Sequence, residues 1–449
     1  MTASPLTSRS GLALLVFVLA CLAQAALALN PGYFSHDELQ WGAAADVASW
    51  RDLPWMGWAD IATFQWRPLT FNTWLLLSHA LFETPVGFHL LWVVLGSAIA
   101  AALAVLLSRL GLAASTAGTA ALVFALNPYA AHVHGWVATL ADLIWVACAL
   151  TLAHLVLTAH RQAWRGPVVA ALAFALTALG LMAKEAAVVM PALLALIWLA
   201  YGRPRALAWA MAGSGGVVLA YLALRLGVLM PDASRGSYGT SLAFVHGNLA
   251  AFALYPLRPS TFEVQGLMPM PAVAMAAAVA LWLGLLLAMR RAAPRLALLL
   301  VAGGTLALAP VLVLETIANQ YAYGASAWVV ACVALAWPSL RKPGKALVVF
   351  LAVVLVWHGV NVQREMRAVG ERQAVFQPAL VAALRTHEGV LKLYPEPRYA
   401  WAYRRLTHEV PAWRGEEIGE RVMVVESAAE ADFVIGGDGG LRRVGGDRD

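Results

Sequence analysis

Apolar runs recur along the first 360 positions with short polar breaks between them. Their length, near the ~17–25 residues that a helix needs to span a bilayer, marks them as candidate crossings. They fall near 11–29, 87–108, 113–130, 137–158, 167–183, 186–201, 206–226, 271–289, 296–314, 322–338 and 346–360, predicting eleven membrane helices. Two further stretches, 69–84 and 241–257, are long enough for a helix but carry polar residues or proline. They are expected to lie at the membrane surface or to re-enter it.

After residue 360 the pattern changes. The last 89 residues carry 13 Lys/Arg and 14 Asp/Glu and no spanning run. Helical spacing over 362–386, with short strands at Arg421–Ser427 and Asp432–Gly436, predicts a small water-facing α+β domain. The Gly-rich end from Gly436 reads as frayed. The fold class expected is therefore an all-α polytopic membrane protein of about eleven helices (residues 1–360, first outer loop 30–85) followed by a small soluble domain (361–449). No periodic repeat is visible in the tail.

Composition sharpens this picture. The chain is 61% hydrophobic and 12% charged. With a cytoplasmic N-terminus, the inner connections hold Arg9, Arg109, Arg161, Arg165, Arg203, Arg205, Arg290, Arg291, Arg295, Arg341, Lys342 and Lys345. These are twelve of the eighteen Lys/Arg before residue 361, in line with the positive-inside rule. All eleven acids of that region then fall on the outer side or at outer helix ends, which points to work done there. The net charge of +6 follows from this topology and implies no nucleic acid partner. Ala23-Gln24-Ala25 also resembles a signal-peptide cleavage site, but a retained anchor fits the alternation of the later segments better. Cys21, Cys148 and Cys332 each lie within an apolar run and read as packing residues.

Five of the eleven acids (Asp37, Glu38, Asp46, Asp52, Asp60) crowd into the first polar interval. The adjacent pair Asp37–Glu38 suits proton abstraction or metal binding, because two neighbouring carboxylates cannot both ionise cheaply in a dry site. The plainer alternative is a solvated loop in which Asp37 caps a surface helix over 37–48. Lys184–Glu185, between two apolar runs, could clamp a phosphate or pair with another loop; the alternative is a hairpin with charges reaching water. Arg67, Arg225 and Arg258 stand at outer helix ends, where a lipid-linked phosphate would need fixed positive charge, or where they would simply anchor the interface. His132 and His134 follow Asn127-Pro128; a zinc site there would need His36 as well, and helix-end histidines are the better default, so no metal is expected. The eighteen tryptophans, among them Trp41, Trp50, Trp55, Trp58, Trp66 and Trp136, read first as an interfacial belt.

Several of these motifs together resemble the GT-C superfamily of integral-membrane glycosyltransferases, in particular its protein O-mannosyltransferase-like branch, including the membrane half of the tetratricopeptide-containing enzymes. They are His36-Asp37-Glu38-Leu39-Gln40-Trp41, Arg67-Pro68-Leu69-Thr70, Asn127-Pro128 with His132 to Trp136, Leu181-Met182-Ala183-Lys184-Glu185 with Pro191, and Leu254-Tyr255-Pro256-Leu257-Arg258-Pro259. The resemblance spans about residues 10–340. It implies a sugar donor linked to polyprenyl phosphate, such as a mannosyl or other hexosyl donor, and inverting transfer to a hydroxyl of a protein, lipid or polysaccharide on the non-cytoplasmic face. A bacterial inner membrane with a periplasmic site fits that expectation.

On this reading Asp37, with Glu38 as alternate, is the catalytic base. Lys184, Arg225, Arg258 and Arg67 hold the donor phosphate. Glu185 orients Lys184, and His36, His134 and Tyr323 support the site. No cofactor is required, although a divalent cation is compatible with the acids. Two departures stand out. Asn319-Gln320 precedes Tyr321-Ala322-Tyr323 where relatives tend to carry Glu-Arg, and the tail lacks a tetratricopeptide array. The rival readings are a flippase or transporter of a lipid-linked sugar, which would bury charges mid-helix in two related halves, and a non-catalytic relative in a cell-envelope complex.

Overall fold

Proline sets the rhythm of the helical bundle, standing at the first or second position of helix after helix, where its missing N–H costs nothing. The computed structural model describes residues 8–61, 63, 65–229, 239–267, 272–395, 397–407 and 410–444. The first helices are α1 (Arg9–Ala23), α2 (Ala25–Ala28), α3 (His36–Val47), α4 (Pro68–Leu81), α5 (Pro85–Arg109) and α6 (Ala114–Leu126). Then come α7 (Pro128–Gly135), α8 (Leu140–Arg161), α9 (Gly166–Ala183), α10 (Met190–Ala200) and α11 (Arg205–Leu229). The remainder are α12 (Val245–Leu254), α13 (Ala272–Ala292), α14 (Pro294–Leu312), α15 (Tyr323–Ala336), α16 (Lys342–Thr386) and α17 (Ala400–Thr407).

Among the described residues, eight helical segments are long and apolar enough to cross a membrane: Pro85–Arg109, Val137–Arg161, Gly166–Ala183, Arg205–Arg225, Ala272–Ala292, Pro294–Leu312, Asn319–Ser339 and Lys342–Thr386. Three more of the eleven expected crossings correspond to shorter apolar helices, Arg9–Ala23, Ala114–Leu126 and Glu185–Ala200. The eleven-crossing count is thus carried in part: eight segments meet the length and three fall short of it. The two stretches expected at the surface are the 14-residue α4 and the short apolar segment Leu242–Leu257.

The tail differs from expectation at both ends. Residues 362–386 are helical, but they continue the last membrane segment without a break in the 45-residue α16. The composition boundary at 360 therefore falls inside one helix. Beyond it, β1 (Leu391–Pro395) lies between two parallel partners, β4 (Val422–Val424) and β5 (Phe433–Ile435). β6 (Leu441–Arg443) pairs antiparallel with β5, giving the order β4-β1-β5-β6. A separate hairpin joins β2 (Ala412–Trp413) to β3 (Glu416–Glu417). The Gly-rich stretch is a tight turn rather than a frayed end. Gly436 N–H bonds the Gly440 carbonyl, Asp438 Oδ1 accepts from Gly440 N–H, and Gly439 adopts φ +94°. Residues 445–449 lie outside the described residues.

The small domain packs against the first loop. Tyr33 N–H donates to Gln373 Oε1, Asn30 Nδ2 to the Met366 carbonyl, and Trp413 meets Phe82 edge-on at 5.4 Å. The loop and α16 approach so closely that a Cβ on Gly32 would collide with the Gly370 carbonyl. Arg414–Glu83 and Arg405–Glu263 add ion pairs at 2.7 Å. These contacts place residues 30–38 between the bundle and the tail.

Candidate functional site

The acid pair divides into two roles. Ser35 and Glu38 form a capping box at the start of α3. Glu38 Oε2 accepts from the N–H groups of Phe34 (2.6 Å) and Ser35 (2.9 Å), while Oε1 accepts from Val137 N–H (3.1 Å). The residue is only 2% exposed. Both oxygens are committed to backbone donors, so Glu38 is a clamp between the first loop and the start of α8, not a spare base. Asp37 does not cap the helix either; Ser35 takes that place, and the helix begins at His36. The Asp37 side chain stays about one-third exposed, with Ser35 Oγ donating to it at 3.3 Å and His36 Nε2 at 3.5 Å. Of the two carboxylates, only Asp37 is open to a ligand.

The cation candidates separate in the same way. Lys184 Nζ lies 2.6 Å from both oxygens of Asp142, deep in the protein, and 4.9 Å from the Tyr321 ring centroid. Arg67 holds Glu185 Oε2 through Nε at 2.8 Å and a terminal nitrogen at 2.7 Å. The expectation that Glu185 orients Lys184 is therefore corrected: Asp142 does so, and Glu185 serves Arg67. Arg225, expected to face a phosphate, is completely buried. It donates to the carbonyls of Thr63 and Trp66 and to the Tyr221 hydroxyl, pinning the end of the first loop to α11. Residues 230–238 of the loop that follows it lie outside the described residues. Arg258 is partly exposed, and its side chain has no hydrogen-bond or ion-pair partner among the described residues.

The histidines lie on the fully buried α7, not on an extended segment, and two residues apart on a helix they point to different neighbours. His134 is held between Gln24 Oε1 (2.6 Å) and the Tyr323 hydroxyl (3.0 Å), so the two supporting residues do meet. They bind each other in the core. His132 instead faces the rings of Phe34, Trp136 and Phe262. Among the described residues, no three His, Cys, Asp or Glu side chains converge as metal ligands. Asn319 braces a loop: its Nδ2 donates to the Tyr255 hydroxyl and the Phe262 carbonyl, and its Oδ1 accepts from Val264 N–H.

Aromatic contacts tie Asp37 to the cations. Asp37 and Trp41 lie one turn apart on α3, Trp41 stacks on Phe71 at 4.7 Å, and Phe71 sits one turn into α4 from Arg67. In the other direction, Phe34 meets Phe262 at 5.5 Å, and Thr261 N–H bonds the Arg258 carbonyl. The segment 34–41 that carries Asp37 thus packs against the Arg67 segment on one side and residues 258–262 on the other.

An apolar cavity of about 670 Å³ lies between α6 and the helices α12 to α16 and reaches the Arg258 segment at Leu257. Its wall runs from Ser115 and Trp337 at one end to Tyr129, Pro256 and Leu257 at the other. Leu257 adjoins Arg258, and the lining residue Ala322 adjoins Tyr321. The polar groups of Asn127, Tyr129 and Ser326 are spent on the protein's own carbonyls, leaving the lumen greasy.

Asp142, the partner of Lys184, is a candidate-site residue that the sequence did not single out; its one signal was an acid five residues inside the apolar run 137–158, where a buried charge needs a partner. No family model and no curated protein matches the chain, so the likeness to GT-C glycosyltransferases rests on its motifs alone.

Proposed function

We infer that the protein is a glycosyltransferase that moves a sugar from a polyprenyl-phosphate donor to an acceptor hydroxyl on the non-cytoplasmic membrane face. The observation that carries this reading is the apolar cavity with Arg258, unpartnered among the described residues, next to its lining residue Leu257, and an open carboxylate, Asp37, on a loop that packs through Phe34 against Phe262. An isoprenoid chain needs the first, its phosphate the second, and an acceptor hydroxyl the third.

In this mechanism Asp37 takes the hydroxyl proton as the acceptor oxygen bonds to the anomeric carbon. The bond from that carbon to the phosphate oxygen breaks, and its electron pair leaves with the polyprenyl phosphate, whose charge Arg258 stabilises. Lys184 and Arg67, each already matched by an acid, shape the polar wall without adding net charge. Glu38 positions Asp37 by fixing the first turn of α3.

The test is glycan transfer in membranes containing lipid-linked sugar. Asp37→Asn should lower transfer by about 10²–10⁴-fold at normal protein levels. Arg258→Gln should lower it by about 10²-fold. Undiminished transfer by Asp37→Asn overturns the enzyme reading. Movement of lipid-linked sugar across vesicles, unchanged in Asp37→Asn and without any transfer, would establish the flippase instead.

A further inference from the structure

A second built feature lies at the opposite end of the bundle from Asp37, and it owes nothing to the glycosyl-transfer reading. Arg9 at the start of α1, Arg109 at the end of α5 and Arg161 at the end of α8 come from distant parts of the chain. They nonetheless gather closely enough for Arg9 and Arg161 to interact electrostatically with Arg109. None of the three makes an ion pair with an acid among the described residues. Like charges assembled without acids cost energy unless an anion is supplied from outside.

Two of the three are held in place, and Arg9 stands exposed beside them. Arg109 is fixed by His154 Nδ1 at 2.9 Å and Thr158 Oγ1 at 2.5 Å, and Arg161 donates to the Arg109 carbonyl. Directly on the membrane side of the triad, an open apolar groove of about 500 Å³ runs between α1, α5 and α8. Alanines make it: Ala13, Ala98, Ala101 and Ala102 leave room that Leu14 and Phe17 border. Ala13 lies one turn from Arg9, and Val105 of the same groove lies one turn from Arg109.

The geometry points to a binding site for an anionic diacyl phospholipid of the leaflet facing the N-terminus, with its phosphate between Arg9, Arg109 and Arg161 and one acyl chain in the alanine-lined groove. Basic pockets between membrane helices recognise such headgroups by charge, and the groove adds apolar burial that a free phosphate could not use.

Native mass spectrometry of the full-length protein in detergent tests this, titrating phosphatidylglycerol against phosphatidylcholine with identical chains, and against inorganic phosphate. The wild type should retain phosphatidylglycerol in preference. The Arg9→Gln/Arg161→Gln variant, both of whose residues are exposed, should lose that preference by about fivefold for each arginine neutralised. Ala98→Trp, which fills the groove from its exposed side, should weaken retention of the lipid while leaving the charge untouched. Arg203→Gln/Arg205→Gln, on other basic connections, should change nothing. Equal retention of the two lipids, an equal loss in the Arg203/Arg205 control, full retention by Ala98→Trp, or displacement by inorganic phosphate alone would each overturn the proposal.

Discussion

The two charged ends of this bundle are built on opposite rules. Beside the first loop, Lys184 is matched to Asp142 and Arg67 to Glu185, so four charges cancel inside the protein. At the other end, Arg9, Arg109 and Arg161 gather with no acid among the described residues to answer them. The difference teaches where charge is structural and where it is on offer. A cation already gripped by two carboxylate oxygens has little left for a ligand, whereas one fixed in place by neutral partners keeps its full charge for something outside.

Breaking the matched end should have the largest effect. Lys184→Met leaves Asp142 as an uncompensated buried carboxylate and should cost about 3–5 kcal/mol of unfolding stability in detergent. Adding Asp142→Leu in the same chain should recover most of that loss, because the stability lies in the match and not in either charge. If the double variant is no more stable than the single, the cancellation argument fails.

Arg67→Gln strands Glu185, which is less deeply buried, and should cost about 1.5–3 kcal/mol. A smaller term comes from Glu38. Gln in its place keeps a single acceptor oxygen for three N–H groups, a loss of about 1–3 kcal/mol. Burial pushes the Glu38 carboxyl up to about 8, against the pull of those three N–H groups and with a further push from Asp37. The folded chain thus holds a proton that the unfolded chain releases above about 4.5, so this contribution is full below 4.5 and is lost as pH rises through about 8. Unfolding curves should show the advantage of wild type over Glu38→Gln shrinking and then reversing as pH rises through that window; an advantage that grows with pH would refute the assignment.

The unmatched end should yield the smallest change of all. Arg161→Gln, at an exposed residue without an acid partner among the described residues, should alter stability by no more than about 0.5 kcal/mol in lipid-free detergent. A loss comparable to that of Arg67→Gln would mean that an acid partner exists and that the contrast between the two ends is false.

Much of the bundle was legible in the sequence because a membrane helix announces itself by length and apolarity alone. What hydropathy hides is continuity. The charged composition after residue 360 looked like a domain boundary, yet α16 carries straight through it, with one buried face on which Gln363, Gln373 and Gln377 interrupt Val362, Met366, Val369, Phe376 and Leu380 while the charges lie elsewhere on the helix. At the candidate site, the partners of the charged residues differ from those expected. Ser35 followed three residues later by Glu38 is the sequence pattern of a capping box, and it already marked Glu38 as a backbone clamp. Asp142 could be seen only as one acid at a helix start; its pairing with Lys184, 42 residues later, depends on how α8 and α9 pack. Likewise, nothing local in the chain foretold that Arg225 would spend itself on carbonyls from residues some 160 positions earlier.

The bond from Tyr33 N–H to Gln373 spans 340 residues, and α16 delivers its far end as a rod of about 67 Å rising out of the bilayer. The loop and its brace are thus made far apart in the chain, and they meet only once the helices between them have packed. Until that brace arrives, the bend carrying Asp37 has no roof. The shape of that bend is therefore set by the far half of α16 as much as by its own residues, and a cut ahead of Gln373 would leave the preceding apolar helices intact and the bend unheld.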